Sequence, residues 1–413
     1  MRNMKRAKYF FLAALLAAGG TASAADLKEC LGLAAANSPA LRAYEQKLSG
    51  ALAANDKDRR SLYPQLSLSG EEGYSAYSGE AGLKNGITGS AGFEFAWDLP
   101  KALAGYPALS RIEADKAGVL LEQAKKELER DVKRDYYKLY ILESKQADYA
   151  AAREYFDSHI KDIKRLEDQG LDLKLDLIRA GMQLKALATT EAGIQAEFEN
   201  VLLSLNSASG GNFKREDFKF EDLPAPGLIE ASAGAADGAL LATRLDELDL
   251  AGTREAWRQS AWGYAPTVAL GTRKSLSPID PAAELKRTYL TINLPVFDFG
   301  QRAAERKTLQ REAEAQQSLA MENNRRLKLS IKQLRGEVKN AAAACAAASS
   351  GLVDADKIIE TAKAYYRQGK IKETDLLSVF SEYLDAKQRA RDALDNYLDK
   401  KAGLDYLLAG SAR

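Results

Sequence analysis

One histidine, two cysteines and four methionines in 413 residues leave little material for a metal centre or for nucleophilic catalysis. His159 has no second histidine and no cysteine pair near it in sequence, so no metal-ligating or general-base role is expected of it. Two of the methionines are Met1 and Met4, which leaves no methionine-rich path for a soft metal. Cys30 and Cys345 are too few for a disulfide-stapled framework and read as packed thiols. A glycine loop of the phosphate-binding P-loop type is missing, which agrees with a passive rather than an energy-converting role. Nowhere after the first two dozen residues does an uncharged run approach the roughly 20 residues of a transmembrane helix. Any contact with a membrane must therefore be made by β-strands.

The first residues read as a secretory signal. Arg2, Lys5, Arg6 and Lys8 precede the apolar run Tyr9 to Ala18, and Ala22-Ser23-Ala24 offers an A-x-A cleavage site. Residues 1–24 are thus expected to be a signal peptide, with the mature chain beginning at Ala25. Lys28 and Glu29 stand where a lipoprotein signal wants small uncharged residues, which argues against a lipid anchor at Cys30. Removing the signal subtracts four basic residues, so 55 Lys plus Arg face 58 Asp plus Glu and the net charge moves from +1 to −3. That balance makes nucleic acid an unsuitable partner.

The remaining chain is one unit written twice. Tyr63-Pro64-Gln65-Leu66 is answered by Tyr264-Ala265-Pro266-Thr267, with prolines 202 apart, and Asp98 by Asp298, 200 apart. Gln169-Gly170 with Asp176-Leu177-Ile178 is answered by Gln368-Gly369 with Asp375-Leu376-Leu377, all offset by 199. The expected organisation is a first repeat over 25–206, a linker over 207–238 that wraps the middle of a helical rod, and a second repeat over 239–413.

All ten prolines fall at or before Pro295, and none lies between Ala108 and Leu223 or between Val296 and Arg413. Those stretches are free to be uninterrupted helix. Within them apolar residues recur at spacings of three and four, as in Leu327, Ile331, Leu334, Val338, Ala341 and Cys345, the pattern of helices that pack lengthwise. About Leu103 to Asp168 predicts one helix of roughly 100 Å at 1.5 Å per residue. Gly170 and Gly369 supply sharp turns, after which return helices are expected over Asp172 to Asn206 and Glu373 to Leu408. A further helix is predicted from about Asp26 to Ser61.

Between the helices lie two short strand pairs of alternating character. Ala91, Phe93, Phe95 and Trp97 alternate with Ser90, Gly92, Glu94 and Asp98, and Leu290, Ile292, Leu294 and Val296 with Thr291 and Asn293. Apolar out and polar in marks a membrane β-barrel strand, while an ordinary half-buried sheet shows the same alternation. Export, and strands too few to close a barrel alone, favour a barrel shared by several chains.

Several local motifs, in this order, resemble the outer-membrane efflux protein family of TolC-like channels. They are Asn37-Ser38-Pro39, Tyr63-Pro64-Gln65-Leu66, Leu294-Pro295-Val296-Phe297-Asp298-Phe299-Gly300, and Gly369 with Asp375-Leu376-Leu377. The first copy departs from the pattern, since Leu99-Pro100-Lys101 follows Asp98 where Gly300 follows in the second. The resemblance implies a mostly α protein with a small β portion, three copies of which share a twelve-stranded membrane barrel above a periplasmic helical tunnel. It further implies a periplasmic adaptor (a membrane fusion protein) and an inner-membrane pump as partners, outer-membrane lipid around the barrel, and no cofactor or catalytic residue.

By the same resemblance the tunnel closes at its periplasmic tip, beside Gly170 and Gly369. The family's tyrosine falls on Tyr366 and its aspartates on Asp176 and Asp375, whereas its arginine position holds Ile371 and a second aspartate position holds Ser378. Lys370 and Lys372 flank the gap without an arginine's planar fork. Each residue also has a plainer reading: a first-turn acid is favoured by the helix dipole, and Tyr366 fits a packed aromatic. Phe93, Phe95 and Trp97 are expected to face lipid and Glu94 the lumen. The rival readings are a periplasmic adaptor, which would show one hairpin flanked by compact β-domains, and a hydrolase, which would need a convergent nucleophile and base.

Overall fold

The computed structural model describes residues 26–79, 82–97, 104, 106–169, 173–218, 220, 240–276, 286–294 and 297–408. The expected signal segment, Gly170, Leu99-Pro100-Lys101 and most of the 207–238 linker lie outside the described residues, as does the side chain of Trp97. The elements in chain order are α1 (Leu27–Asn37), α2 (Pro39–Arg60), β1 (Gln65–Gly79), β2 (Gly82–Trp97), α3 (Pro107–Asp168), α4 (Lys174–Ser209), α5 (Leu241–Ser260), β3 (Thr267–Leu276), β4 (Lys286–Asn293), α6 (Gln301–Arg367) and α7 (Glu373–Leu407). The chain divides into two compact units, one of Met1–Pro39, Lys125–Gly238 and Leu329–Arg413, the other of Ala40–Ala124 and Ala239–Lys328. Among the described residues no helix is long and apolar enough to cross a membrane.

The proline-free stretches do form single helices, α3 of 62 residues and α6 of 67. Helix α3 begins at Pro107, four residues later than the spacing predicts, because proline suits the first helical position, where its missing N–H is not needed. The predicted helix over Asp26 to Ser61 is instead two helices. Ser38 adopts φ −56°, ψ 118°, since the residue before a proline is driven out of the helical region. Ser38 nevertheless donates its backbone N–H to Ala34 O at 3.0 Å, so the break costs no orphaned amide.

In the unit that holds the sheet, the strands form an antiparallel meander in the order β1-β2-β3-β4. Its register places Leu66, Phe95, Leu270 and Leu290 directly opposite one another across all four strands. These are 59%, 51%, 52% and 61% exposed, so this row stays largely open among the described residues. The next row on the other face is Ser67, Glu94, Gly271 and Tyr289. There the Tyr289 hydroxyl donates to Glu94 Oε2 at 2.9 Å, with its ring across the bare backbone of Gly271. At the end of β4, Asp298 accepts the backbone N–H groups of Gly300 and Arg302 at 3.1 and 3.2 Å and so starts α6.

The other unit is a helical bundle with two buried clusters. One joins Cys30 and Ala34 of α1 to Tyr136, Leu139 and Leu142 of α3 and to Ile194, Phe198 and Leu205 of α4. Gly210, at φ 61°, ends α4 where a side chain would collide with Asn37. Both cysteines are free and buried. The second cluster takes Ala152 and Phe156 from α3, Leu187 from α4, Ile359 from α6 and Phe380 and Leu384 from α7, so four helices share one apolar centre. Burying each large side chain there contributes about 1.5–3 kcal/mol.

A polar seam runs between these clusters. Lys138 meets Asp395 at 2.7 Å, Lys145 meets Asp392 at 2.5 Å, and Asp148 meets Lys387 at 2.7 Å and Arg391 at 3.3 Å. Numbers rise along α3 as they fall along α7, the signature of an antiparallel pair held in one register.

Candidate functional site

The seam ends where α3, α4, α6 and α7 begin or finish together, and the site is built by how the turn between α6 and α7 is made. Gly369 at φ 68° closes α6: its N–H bonds Tyr366 O and the Lys370 N–H bonds Tyr365 O, each at 2.9 Å. A left-handed residue is required there, and glycine adopts it without a Cβ clash. Helix α7 then starts with Asp375, in its first turn, accepting the Lys372 backbone N–H at 3.2 Å. The tight turn thereby aims Glu373, the first residue of α7, back into the bundle.

Glu373 is 3% exposed and His159 of α3 is 7% exposed. His159 Nε2 lies 2.9 and 2.8 Å from the two carboxylate oxygens of Glu373. Tyr155 stacks on the imidazole with ring centroids 5.8 Å apart and planes 8° from parallel, and Tyr366 meets it edge-on at 5.1 Å. Tyr155 in turn stacks on Phe380 at 5.1 Å, which joins this polar pair to the four-helix apolar cluster. Burial, then the Glu373 charge and a hydrogen bond to it, push the Tyr366 phenol well above its ordinary range. Burial first and Glu373 second push Tyr155 up to about 12.

Beside the pair opens a cleft of about 890 Å³, whose lining includes Tyr155, His159, Asp176, Tyr366, Lys372 and Glu373. Of the residues singled out from sequence, Asp176, Tyr366, Lys372 and Gly369 thus meet at one place. Asp176 is ion-paired with Arg179 of its own helix at 3.5 Å. Two others are turned to local work: Asp375 is exposed and caps α7, and Lys370 lies over the Tyr365 ring at 5.3 Å. No protein metal cluster of three or more ligands occurs among the described residues.

His159 was expected to have no metal or catalytic role and Glu373 only to start a helix, although the signal for their pairing is present in the chain. His159 falls on the buried stripe Ala152, Phe156, Ile163 of α3, and Glu373 on the stripe Leu376, Phe380, Leu384 of α7. A polar side chain on an apolar stripe requires a partner, and each is the other's.

A sequence model of the outer membrane efflux protein family matches residues 30–211 and 241–410. Among curated proteins none matches the chain. Several solved structures share the fold. The channel protein CusC is 15% identical, with a TM-score of 0.79 over 93% of this chain and 92% of its own. The outer membrane protein VceC from Vibrio cholerae is also 15% identical, with a TM-score of 0.77 over 93% and 96%. The MtrE outer membrane channel of Neisseria gonorrhoeae, captured in an open state, is 14% identical, with a TM-score of 0.73 over 94% and 89%.

Proposed function

The chain belongs to the outer membrane efflux protein family and is a channel subunit of the outer membrane, and from that premise we propose that three copies close one duct whose resting constriction is the helical tip. The observation that carries the assembly is the sheet. Among the described residues its four strands leave β1 and β4 each with an unpaired edge, and one face carries an exposed apolar row, Leu66, Phe95, Leu270 and Leu290, across all four. An open edge is not tolerated in lipid, so the edges pair between copies, and three copies make twelve strands. Phe93 and Phe95 then face lipid, while Glu94 and Tyr289 face the lumen.

The tip has the features of a closure. Four helices converge there, and the buried His159–Glu373 pair and the Tyr366 hydroxyl bond α3, α6 and α7 to one another. Asp176 lines the same cleft, and Asp375 stands exposed on the first turn of α7. In a trimer these supply six carboxylates near one ring, which draws cations. Arg179 beside Asp176 and the nearby Lys370 and Lys372 reduce that field. A duct of this kind has no energy source of its own, so a periplasmic adaptor and an inner-membrane pump complete the pathway.

Membrane fractionation with cross-linking tests the assembly, and a soluble monomer would overturn it. Single-channel recording in planar bilayers tests the tip. Small resting conductance that rises in Tyr366→Phe supports the closure, and loss of cation preference in Asp176→Asn with Asp375→Asn supports the ring. If neither variant differs from wild type, the constriction lies elsewhere.

A further inference from the structure

The exposed apolar face of the sheet does not stay apolar to its far end. Side chains two apart along a strand share a face. The row Leu66, Phe95, Leu270 and Leu290 is therefore followed on the same face by Leu68, Phe93, Thr272 and Thr288, and then by Gly70, Ala91, Lys274 and Lys286. On β3 and β4 the face thus runs leucine, threonine, lysine in step. Lys274, Lys286 and Thr288 are exposed, and Thr272 is half-buried. Cross-strand partners have Cβ atoms about 4.5–5.5 Å apart, and successive rows on one face are about 6.5–7 Å apart. Two lysines and two threonines therefore stand at the corners of one small rectangle, with the small residues Gly70 and Ala91 beside it.

Like charges directly opposite one another on one face of a sheet are destabilising. An anion held between Lys274 and Lys286 turns that repulsion into attraction, and the two ammonium groups and two hydroxyls offer the several donors that phosphate oxygens take. Among the described residues the acid on this face is Glu72 of β1, one row further out and two strands from Lys274. The opposite face is arranged differently at this level. There Arg273 stands opposite Arg287, and Glu71 takes Arg273 at 3.4 Å.

Position identifies the occupant. Each strand joins its helix at the other end of the sheet: α2 precedes β1, α3 follows β2, α5 precedes β3 and α6 follows β4. In an outer-membrane channel whose helices are periplasmic, the lysine end is the outward end. Lys286 lies about 13 Å along the strand from Leu290, and the apolar band of a membrane barrel is about 25 Å tall. The lysines thus stand where acyl chains give way to headgroups. The outward leaflet of an outer membrane is rich in acylated sugars that carry phosphate.

We propose that Lys274 and Lys286, with Thr272 and Thr288, form a seat on the outer wall of the barrel for the phosphate of an outer-leaflet glycolipid, whose acyl chains lie along the apolar rows of the same face. This rests on the reading that the row through Phe95 faces lipid, and it names the headgroup chemistry that this face takes.

The full-length protein, purified as its assembly in detergent, is titrated with lipid A, a bisphosphorylated acylated disaccharide, and bound lipid is read by native mass spectrometry. Wild type is expected to hold lipid A severalfold more tightly than the same glycolipid stripped of its phosphates; equal binding of the two overturns the seat, and this comparison needs no variant. Lys274→Ser with Lys286→Ser is expected to weaken lipid A binding severalfold, and Thr272→Val with Thr288→Val to weaken it by less. Arg273→Ser with Arg287→Ser removes the same charge from the same strands on the opposite face, and is expected to bind as wild type does. Displacement of lipid A by an equal concentration of inorganic phosphate overturns the lipid as occupant. Failure of the face looks different from failure of the seat. Binding lost in the arginine variant and kept in the lysine variant puts lipid on the other side of the sheet and sinks the reading of Phe95 with it. Binding kept in both, while Phe95→Arg still lowers trimer yield more than Glu94→Arg, leaves the face standing and overturns the seat alone.

Discussion

Gly271 is the position where the sheet offers its sharpest test. A Cβ there would collide with the Tyr289 ring and hydroxyl, so the ring must swing away and release Glu94, to which it donates at 2.9 Å. The bond is open to solvent, so its loss adds only modestly to the cost of crowding the ring. Alanine recovers about 0.4–1 kcal/mol by narrowing the unfolded ensemble, since Gly271 is in ordinary extended backbone. Gly271→Ala is thus expected to destabilise, the displaced ring outweighing that gain. The cost has one cause, so it should vanish or reverse when Gly271→Ala is placed on a Tyr289→Ser background, where no ring remains to collide. Urea unfolding of protein folded into lipid vesicles, followed by tryptophan fluorescence, gives the four corners of the cycle. Equal cost of Gly271→Ala in both backgrounds would refute the contact, and so would a Gly271→Ala variant as stable as wild type.

Phe95→Arg places a charge on the apolar row and should cost about 2–4 kcal/mol if it lies near the bilayer midplane, whereas Glu94→Arg should cost much less; equal trimer yields from the two would invert the faces. Asp148→Asn leaves Lys387 and Arg391 without their shared partner, and a loss of about 1–3 kcal/mol in thermal stability is expected, reduced by salt because both cations are partly exposed. Burial, then the charges of Glu29 and Asp26, push the Cys30 thiol up to about 12, and burial raises Cys345, so a maleimide at neutral pH should label neither thiol until the protein unfolds. Tyr155 ionises in the folded chain only at about 12 but near 10 when unfolded, so its contribution to stability is complete below pH 10 and is lost as pH rises toward 12; phenolate absorbance and tip unfolding should therefore rise together in that window.

What could be read along the chain was whatever depends on near neighbours. Helices α3 and α6 follow from proline-free stretches with heptad-like spacing, and the end of α6 from Gly369, whereas the start of α3 was placed at Leu103, four residues before the Pro107 that sets it. The alternation around Phe93 and Phe95 likewise specifies one apolar face, because side-chain direction in a strand is set by parity alone. The break at Ser38 was equally local, and the apolar spacing on both sides of it hid what Pro39 dictates.

The pairs that tie the tip together were not of this kind. Lys145 and Asp392, Asp148 and Lys387, and His159 and Glu373 are separated by more than 200 positions and meet only because α3 and α7 pack antiparallel in one register. That register is fixed by Phe156 and Phe380, whose rings meet edge-on at 4.7 Å, and by the turn at Gly369, which sets where α7 starts. A one-residue change in that turn would rotate Glu373 by about 100° around its helix, as 3.6 residues per turn require, and carry it off the buried stripe. The family pattern places a tyrosine and acids at this turn but says nothing of a histidine one helix away. Sequence therefore located the turn at which these residues meet, while the His159–Glu373 contact became visible only when two stripes, each interrupted by one polar residue, were seen to face each other.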